Sequence, residues 1–536
     1  MTSLCEKGAY MLRFAVVLSV FMLTSIPAVG QTLATEDEVL KNIWKEAMES
    51  SELELLAHEL FDQIGPRLTG TPQSLKAHEW AVEKYESWNI TARNEQWGKW
   101  LGWERGVTHI DLLEPRLRTL EGTVLAWSPG TKSEGITARF IILADVADST
   151  AFQAWLPDVK GKFVLMSMPQ ITGRTRDDWK KHGLEDATKR IWAEQDSLSK
   201  KWRGLPKKYG YTKRGALAKV VESAGAAALI TSRWSNAWGT NKIFSAYTKS
   251  VPTVDLSMED YGLLFRLVAH GADPVVRIVS GSKFTGESPA LNTIAEIKGE
   301  EKSDEYVMLS AHFDSWDGAS GATDNGSGTI LMMEALRILR KVYPNPKRTI
   351  IVGHWGAEEQ GLNGSRAYVE DHPEVVEKLQ ALFNQDNGTG RVVRMSGSGF
   401  LSAGAFLGRW LSRIPDEVTR HIKMTYPGTP AGGGSDHASF LAAGAPAFGI
   451  GSLGWDYGRY TWHSNRDTYD KLVFDDIRNN VVLAASLVYL ASEDPEFMPR
   501  DKRILPIDEK TGEPKKWPEP VEPDRAGRLE EKESGN

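Results

Sequence analysis

YVMLSAHFD (306–314) runs through SWDGASGATDNG (315–326) into SGTILMMEALRILRKV (327–342). The first segment is a short apolar run of strand length, and the last is an apolar-rich helix. Between them lies a loop of glycines and acids. Strand, tight loop and helix make the repeating unit of a parallel α/β sheet. The unit recurs along the chain. LNTIAEIKG (291–299), RTIIVGHWGAEE (348–359), ALFNQD (381–386) and APAFGI (445–450) read as strands. YVEDHPEVVEKLQ (368–380) and DDIRNNVVLAASLVYLAS (475–492) read as helices. The expected fold is α/β: a mostly parallel sheet sandwiched by helices.

Upstream, residues 35–61 place Val39, Leu40, Ile43, Trp44 and Ala47, then Leu53, Leu55, Leu56 and Leu60, at helical spacing. GPRLTGTPQS (65–74) is a loop, and Ala77 to Trp88 is a second amphipathic helix. From about Gly122 the character changes. FIILAD (140–145), KFVLMSM (162–168), AAALIT (226–231) and VPTVDLS (251–257) are β-rich, with the helical GALAKVVESAGA (215–226) among them. Residues 123–285 therefore read as a separate module, with a polar, Trp-containing excursion at 172–213. Residues 31–122 precede it, and the second strand–helix series, 286–498, follows it. Residues 499–536 are rich in Pro, Lys and Glu and are expected to be disordered.

The chain has 536 residues, 41% hydrophobic and 25% charged, with a net charge of -7. That is globular composition, and no basic stretch points to nucleic acid. MLRFAVVLSVFMLTSIPAVGQ, from Met11, is a basic residue, a short apolar run and a small-residue end at Ala28-Val29-Gly30. Residues 1–30 read as an export signal, with a membrane anchor as the alternative; the run is short for a spanning helix. The expected location is periplasmic or extracellular, with no stable membrane insertion after cleavage. Cys5 is the single cysteine, so the mature chain has no disulfide and no cysteine-ligated metal.

Ligands of open α/β sheets collect at the carboxyl ends of the strands. His312 and Asp314 follow one strand, Glu358 and Glu359 another, and Asp386 a third. Asp324 lies in the glycine-rich loop, and YTWHSNRDT near the end supplies His463. Each piece alone has a plain reading: a capping pair, solvated charge, a turn. Their order at successive strand ends is what points to a site. Clustered carboxylates repel, and a divalent cation removes the problem. Carboxylates with imidazoles suit zinc, or manganese or cobalt. Two metals sharing one carboxylate would sit roughly 3.5–4 Å apart.

HFD (312–314), TDNGSG (323–328), AEEQGLNGS (357–365), NQD (384–386), SDHASF (435–440) and WHSNRDT (462–468) together resemble the M28 family of zinc exopeptidases. GPRLTGTP (65–72) looks like that family's N-terminal segment. The block 312–328, with Trp316 and Asp317, is most similar to the carboxypeptidase Q-like branch, whose members carry an inserted protease-associated domain; the resemblance implies that 123–285 is that insertion and that 31–122 and 286–498 are the two parts of one peptidase domain. The resemblance implies two zinc ions per chain. His312 and Asp386 would hold one and Glu359 and His463 the other, with Asp324 bridging and Glu358 as general base. It implies a peptide substrate and allows a homodimer. Asp314 is expected to orient His312, and Asp467 to act similarly near His463, a turn or cap being the other reading for both. His354 is expected to be packed, and His437 to be a buried hydrogen-bonding residue.

One departure stands out. Some aminopeptidases of the family carry a tyrosine shortly before the SDH segment, where this chain has Ala431-Gly432-Gly433-Gly434. An oxyanion donor would come from Tyr426, Tyr460 or a backbone amide of the glycine run. Trp316, Trp455, Tyr457 and Trp462 are candidates for a pocket wall, with packing as the plainer reading. A receptor-like protein that has lost catalysis would lack ligands, and here all are present. A one-zinc acyltransferase of the wider family is disfavoured by the retention of both His312 and Asp386. The residues that bind substrate, and hence the choice between carboxypeptidase, dipeptidase and aminopeptidase, are not legible in the sequence.

Overall fold

The computed structural model describes residues 35–529. The segment read as an export signal, residues 1–30, lies outside the described residues, as do residues 530–536.

Two eight-stranded sheets organise the chain. The first runs in the order Thr91–Glu104, Lys283–Ile297, Arg348–Trp355, Lys302–His312, Leu379–Asn384, Ala447–Ser452, Val392–Ser396, Lys423–Thr425. Its centre is parallel: Lys302–His312 pairs in parallel with Arg348–Trp355 on one side and Leu379–Asn384 on the other. Its outer pairs are mostly antiparallel, as between Thr91–Glu104 and Lys283–Ile297. The sheet is thus mixed, with a parallel core that carries the site. Every residue of Arg348–Trp355 is buried, which is why it reads as a continuous apolar run instead of an alternating one. Arg348 begins that run and is fully buried. It pairs with Glu305 at 2.6 Å and donates to the carbonyls of Ala491, Ser492 and Asp494. A cation therefore closes the carboxyl end of the helix Phe474–Glu493, where orphan carbonyls and the helix dipole favour one.

That helix and the helix Ser327–Val342 pack against each other and against the strand Lys302–His312. Ser327–Val342 is buried from Ser327 through Leu339, so its apolar run reflects burial on nearly all sides. Arg337 tolerates burial because Glu334, one turn earlier, accepts two of its hydrogen bonds.

The second sheet has the order Arg118–Thr119, Thr108–Glu114, Val275–Ser280, Ile136–Ile142, Phe163–Leu165, Ala228–Thr231, Thr253–Leu256, Gly122–Val124. It takes Thr108–Glu114, so it begins before the expected boundary at residue 123. The long strand Lys283–Ile297 returns the chain to the first sheet slightly before the expected 286. The excursion at 172–213 is mainly two helices, Arg176–His182 and Glu185–Lys208. Thr175 and Asp178 form a reciprocal cap at the start of the first.

Residues 499–529 correct the expectation of a disordered tail. They run along the body as an ordered strap. Arg525 pairs with Asp371 at 2.7 Å and donates to the Trp97 carbonyl. The amides of Lys99 and Leu101 donate to the carbonyls of Arg525 and Gly527, so the strap covers the edge of the strand Thr91–Glu104. Trp517 packs on Phe400 with ring centroids 5.4 Å apart. Low apolar content misleads here because a few Arg and Trp anchors and backbone bonds to an open sheet edge hold the segment. Among the described residues no helix is long and apolar enough to cross a membrane.

Candidate metal centre

His312 ends the central strand and is buried. Its Nδ1 lies 2.9 Å from the carbonyl oxygen of Asp314, an arrangement that turns Nε2 inward. Nε2 stands 3.5 Å from Asp324 Oδ1 and 3.5 Å from Asp386 Oδ1. On the opposite side, His463 Nε2 stands 2.8 Å from Glu359 Oε2 and 3.5 Å from Asp324 Oδ2. The two oxygens of Asp324 therefore face one imidazole each. His312, Asp324 and Glu359 each present a ligand atom within 4.8 Å of the others. All five residues expected to hold metal come together at the carboxyl end of the sheet.

The loop that delivers Asp324 is fixed from several sides. Gly321 adopts φ +62, a conformation that side chains avoid. Gly326 lies so near Phe61 that a Cβ there would meet its ring at 2.1 Å. Asp467 accepts the amides of Thr323 at 2.8 Å and Asp324 at 3.0 Å. Expected beside His463, Asp467 instead holds the Asp324 segment, because its two oxygens meet two successive N–H groups there. The fully buried Arg67, from the GPRLTGTP loop, donates to the carbonyls of Phe313, Ser320 and Gly321 and braces the other end of the same loop. Burial draws the Arg67 pKa down to about 10, against the carboxylates of Asp467, Asp314 and Asp324.

Asp314 serves two neighbours. Its carboxylate lies 3.7 Å from His312 Nδ1, and it also accepts the amides of Glu358 at 3.0 Å and Glu359 at 3.3 Å. It thus caps the turn carrying the adjacent glutamates. Trp316 Nε1 donates to Glu359 Oε2 at 2.9 Å, so this buried tryptophan, a pocket-wall candidate in the sequence, holds a candidate ligand instead.

His463 is held by the segment 239–244, which precedes the strand Thr253–Leu256 of the second sheet. Ile243 N donates to the His463 carbonyl at 2.7 Å, and Asn465 N donates to the Asn241 carbonyl at 3.1 Å. Lys242 is buried, with its ammonium on the carbonyls of Trp462 and Gly458. Phe244 packs on the His463 ring at 5.0 Å. Nothing in the local sequence of Lys242 marks it; only the packing of the second sheet on the 458–466 loop brings it here. His354 is packed as expected, with Nε2 2.8 Å from the Tyr85 hydroxyl. His437 differs from expectation: it is half-buried and its Nδ1 makes no hydrogen bond.

The electrostatics are those of crowded acids. Burial raises Glu358 well above its ordinary value, aided by Asp386, Asp436 and Asp314 and opposed by His312. Burial and the charges of Asp324 and Glu358 do the same to Glu359. Burial would lift Asp324 too, but the two imidazoles hold it near 2. Burial lowers His463 to about 4, while Asp386 and Glu358 overcome burial and raise His312. Asp324 Oδ2 and Glu359 Oε1 are buried and accept no hydrogen bond. Buried acceptors without donors are costly, and both point into the same cluster. Three carboxylates and two imidazoles, with an unpartnered buried oxygen on each of Asp324 and Glu359, fit a divalent metal of the zinc type.

Residues 292–488 match the model of peptidase family M28. The chain is 27% identical to human carboxypeptidase Q over 446 residues, covering 82% of this chain and 85% of that protein. Among solved structures it is similar to a peptidase M28 precursor from Shewanella amazonensis, with 24% identity, a TM-score of 0.63, and coverage of 88% of this chain and 98% of that one. It is also similar to a zinc aminopeptidase from Bacillus subtilis, with 19% identity, a TM-score of 0.53, and coverage of 84% and 97%. These similarities agree with the α/β fold and the family resemblance read from the sequence.

Proposed function

We propose, from the premise that residues 292–488 are a peptidase family M28 domain, that this chain hydrolyses short peptides from one end with two bound zinc ions. The observation that carries the two-ion reading is Asp324, whose oxygens each face a different imidazole at 3.5 Å. His312 and Asp386 would hold one ion, Glu359 and His463 the other, and Asp324 both. The similarity to a zinc aminopeptidase supports zinc as the metal. Manganese and cobalt share its preference for such donors. Bound there, the ions supply a nucleophilic water at neutral pH and polarise the scissile carbonyl.

The protein's own groups do the rest. Glu358 lies beside this cluster, near His312, Asp386 and Asp314, and is assigned to neither ion, which suits a base that must take a proton and return it. It receives the proton as the new C–O bond forms, and passes it to the amine as the C–N bond breaks. The Asp314 carboxylate fixes the turn beneath Glu358 and Glu359, and Asp467 fixes Asp324. Trp316 keeps one oxygen of Glu359 in place. The segment from Met11 to Gln31 supports export of the chain, so the reaction would take place in the periplasm or outside the cell.

Metal removal tests this reading. A chelator should abolish hydrolysis of an unblocked dipeptide, and zinc added back should restore it. Full activity in protein shown to be metal-free would contradict it.

A further inference from the structure

A cavity of about 600 Å³ opens beside Asp386. Its walls include His437, Tyr426, Gly433 and Gly434, and two arginines, Arg394 and Arg503. Among the described residues that line it, Asp386, a candidate metal ligand, supplies the one carboxylate. Among the described residues, neither arginine lies within ion-pair distance of a carboxylate; Arg503 donates to the carbonyl of Gly428 at 2.7 Å. Arg394 comes from the strand Val392–Ser396 and pairs in register with Gly451 of the neighbouring strand. A Cβ at 451 would stand 2.9 Å from Arg394 Nε and 3.3 Å from Nη2, so the absence of a side chain there makes room for the guanidinium. Arg503 arrives on the ordered C-terminal strap. Two guanidinium-bearing residues therefore line a cavity of peptide size that borders the metal cluster. Arginine's planar fork matches a carboxylate.

We propose that this cavity receives the carboxylate-bearing end of the peptide, and that Arg394, assisted by Arg503, recognises that carboxylate. The inference rests on the exopeptidase reading and extends it: the substrate is read by an anionic end on the Asp386 side of the cluster. Two sources share this chemistry, the main-chain carboxylate and an acidic side chain of the last residue.

Binding to the zinc-loaded Glu358→Gln protein, which retains ligands but not turnover, separates these points. Calorimetry with Ala-Ala, its C-terminal amide, Ala-Glu and Ala-Glu α-amide should show amidation of Ala-Ala weakening binding about ten- to hundredfold, the scale of one charge-assisted contact. Adding Arg394→Met should remove that difference. Gly451→Ala, which keeps the arginine but displaces it, should reduce the difference in the same direction. If Ala-Glu α-amide binds as well as Ala-Ala, and loses binding with Arg394→Met, the side-chain carboxylate is the one read. If it binds as weakly as Ala-Ala amide, the main-chain carboxylate is. Equal binding of Ala-Ala and its amide, with no gain for Ala-Glu, would overturn the proposal. So would an amidation effect of the same size with and without Arg394. Arg394-dependent binding alongside a parent protein that cleaves none of these peptides would instead sink the peptidase reading and leave the carboxylate pocket standing.

Discussion

At the scale of single residues, His312, Asp324, Glu359 and Asp386 were legible because each follows a strand or sits in a glycine-rich loop, and their order, completed by His463 near the end of the chain, points to a site that no one of them marks alone. Their supports were only partly legible. Asp314 and Asp467 stood out as acids near ligands, yet Asp467 proves to hold Asp324 through two backbone amides. Trp316 was visible only as an aromatic, because its hydrogen bond to Glu359 depends on the fold of the 315–321 loop. Arg394 carries no local signal; its relevance arises from a glycine on a strand more than fifty residues later. Glu358 is the residue on which the proposed chemistry turns. Glu358→Gln keeps size and polarity but removes the proposed base. It should lower kcat by roughly 10²–10⁴-fold on the scale of an essential general base, with bound metal unchanged. Steady-state kinetics beside metal analysis would check this, and an unchanged kcat would remove Glu358 from that role.

At the scale of elements, the central strands were readable from their continuous apolar runs, and the helices after them from apolar spacing. What the sequence hid was which elements touch. The segment 239–244 lies along 462–466, so a loop from the second sheet positions a candidate ligand presented with the first. Lys242 is the centre of that clasp, and burial lowers its pKa to about 8 against the pull of Asp324 and Asp467. Two effects of removing it oppose each other. Losing its hydrogen bonds loosens the His463 loop, whereas losing its charge would favour a nearby cation. The many contacts to the 458–466 loop favour the first. Lys242→Met should weaken binding of one of the two proposed metal ions by about 10–100-fold, the range for groups that orient a ligand, and leave the other nearly unchanged. Chelator-competition titrations would resolve the two ions. Unchanged or tightened binding would show that the clasp does not position His463.

At the scale of the whole molecule, the candidate site is built at the carboxyl ends of the parallel strands at the centre of the first sheet. The parallel core sets His312, Asp386 and the glutamate pair side by side, and the glycine-rich loop brings Asp324 between them. The second sheet steadies His463, and the C-terminal strap brings Arg503 to the neighbouring cavity. Composition could not show that strap, because its order comes from a few anchors on a sheet edge. The central claim is that Asp324 joins two metal sites into one centre. Its most direct test is the metal content of the zinc-loaded parent and of Asp324→Ala after removal of free metal, measured beside a thermal melt to confirm folding. The expected result is two ions per chain in the parent and loss from both sites in the variant. Two ions retained by folded Asp324→Ala would contradict it.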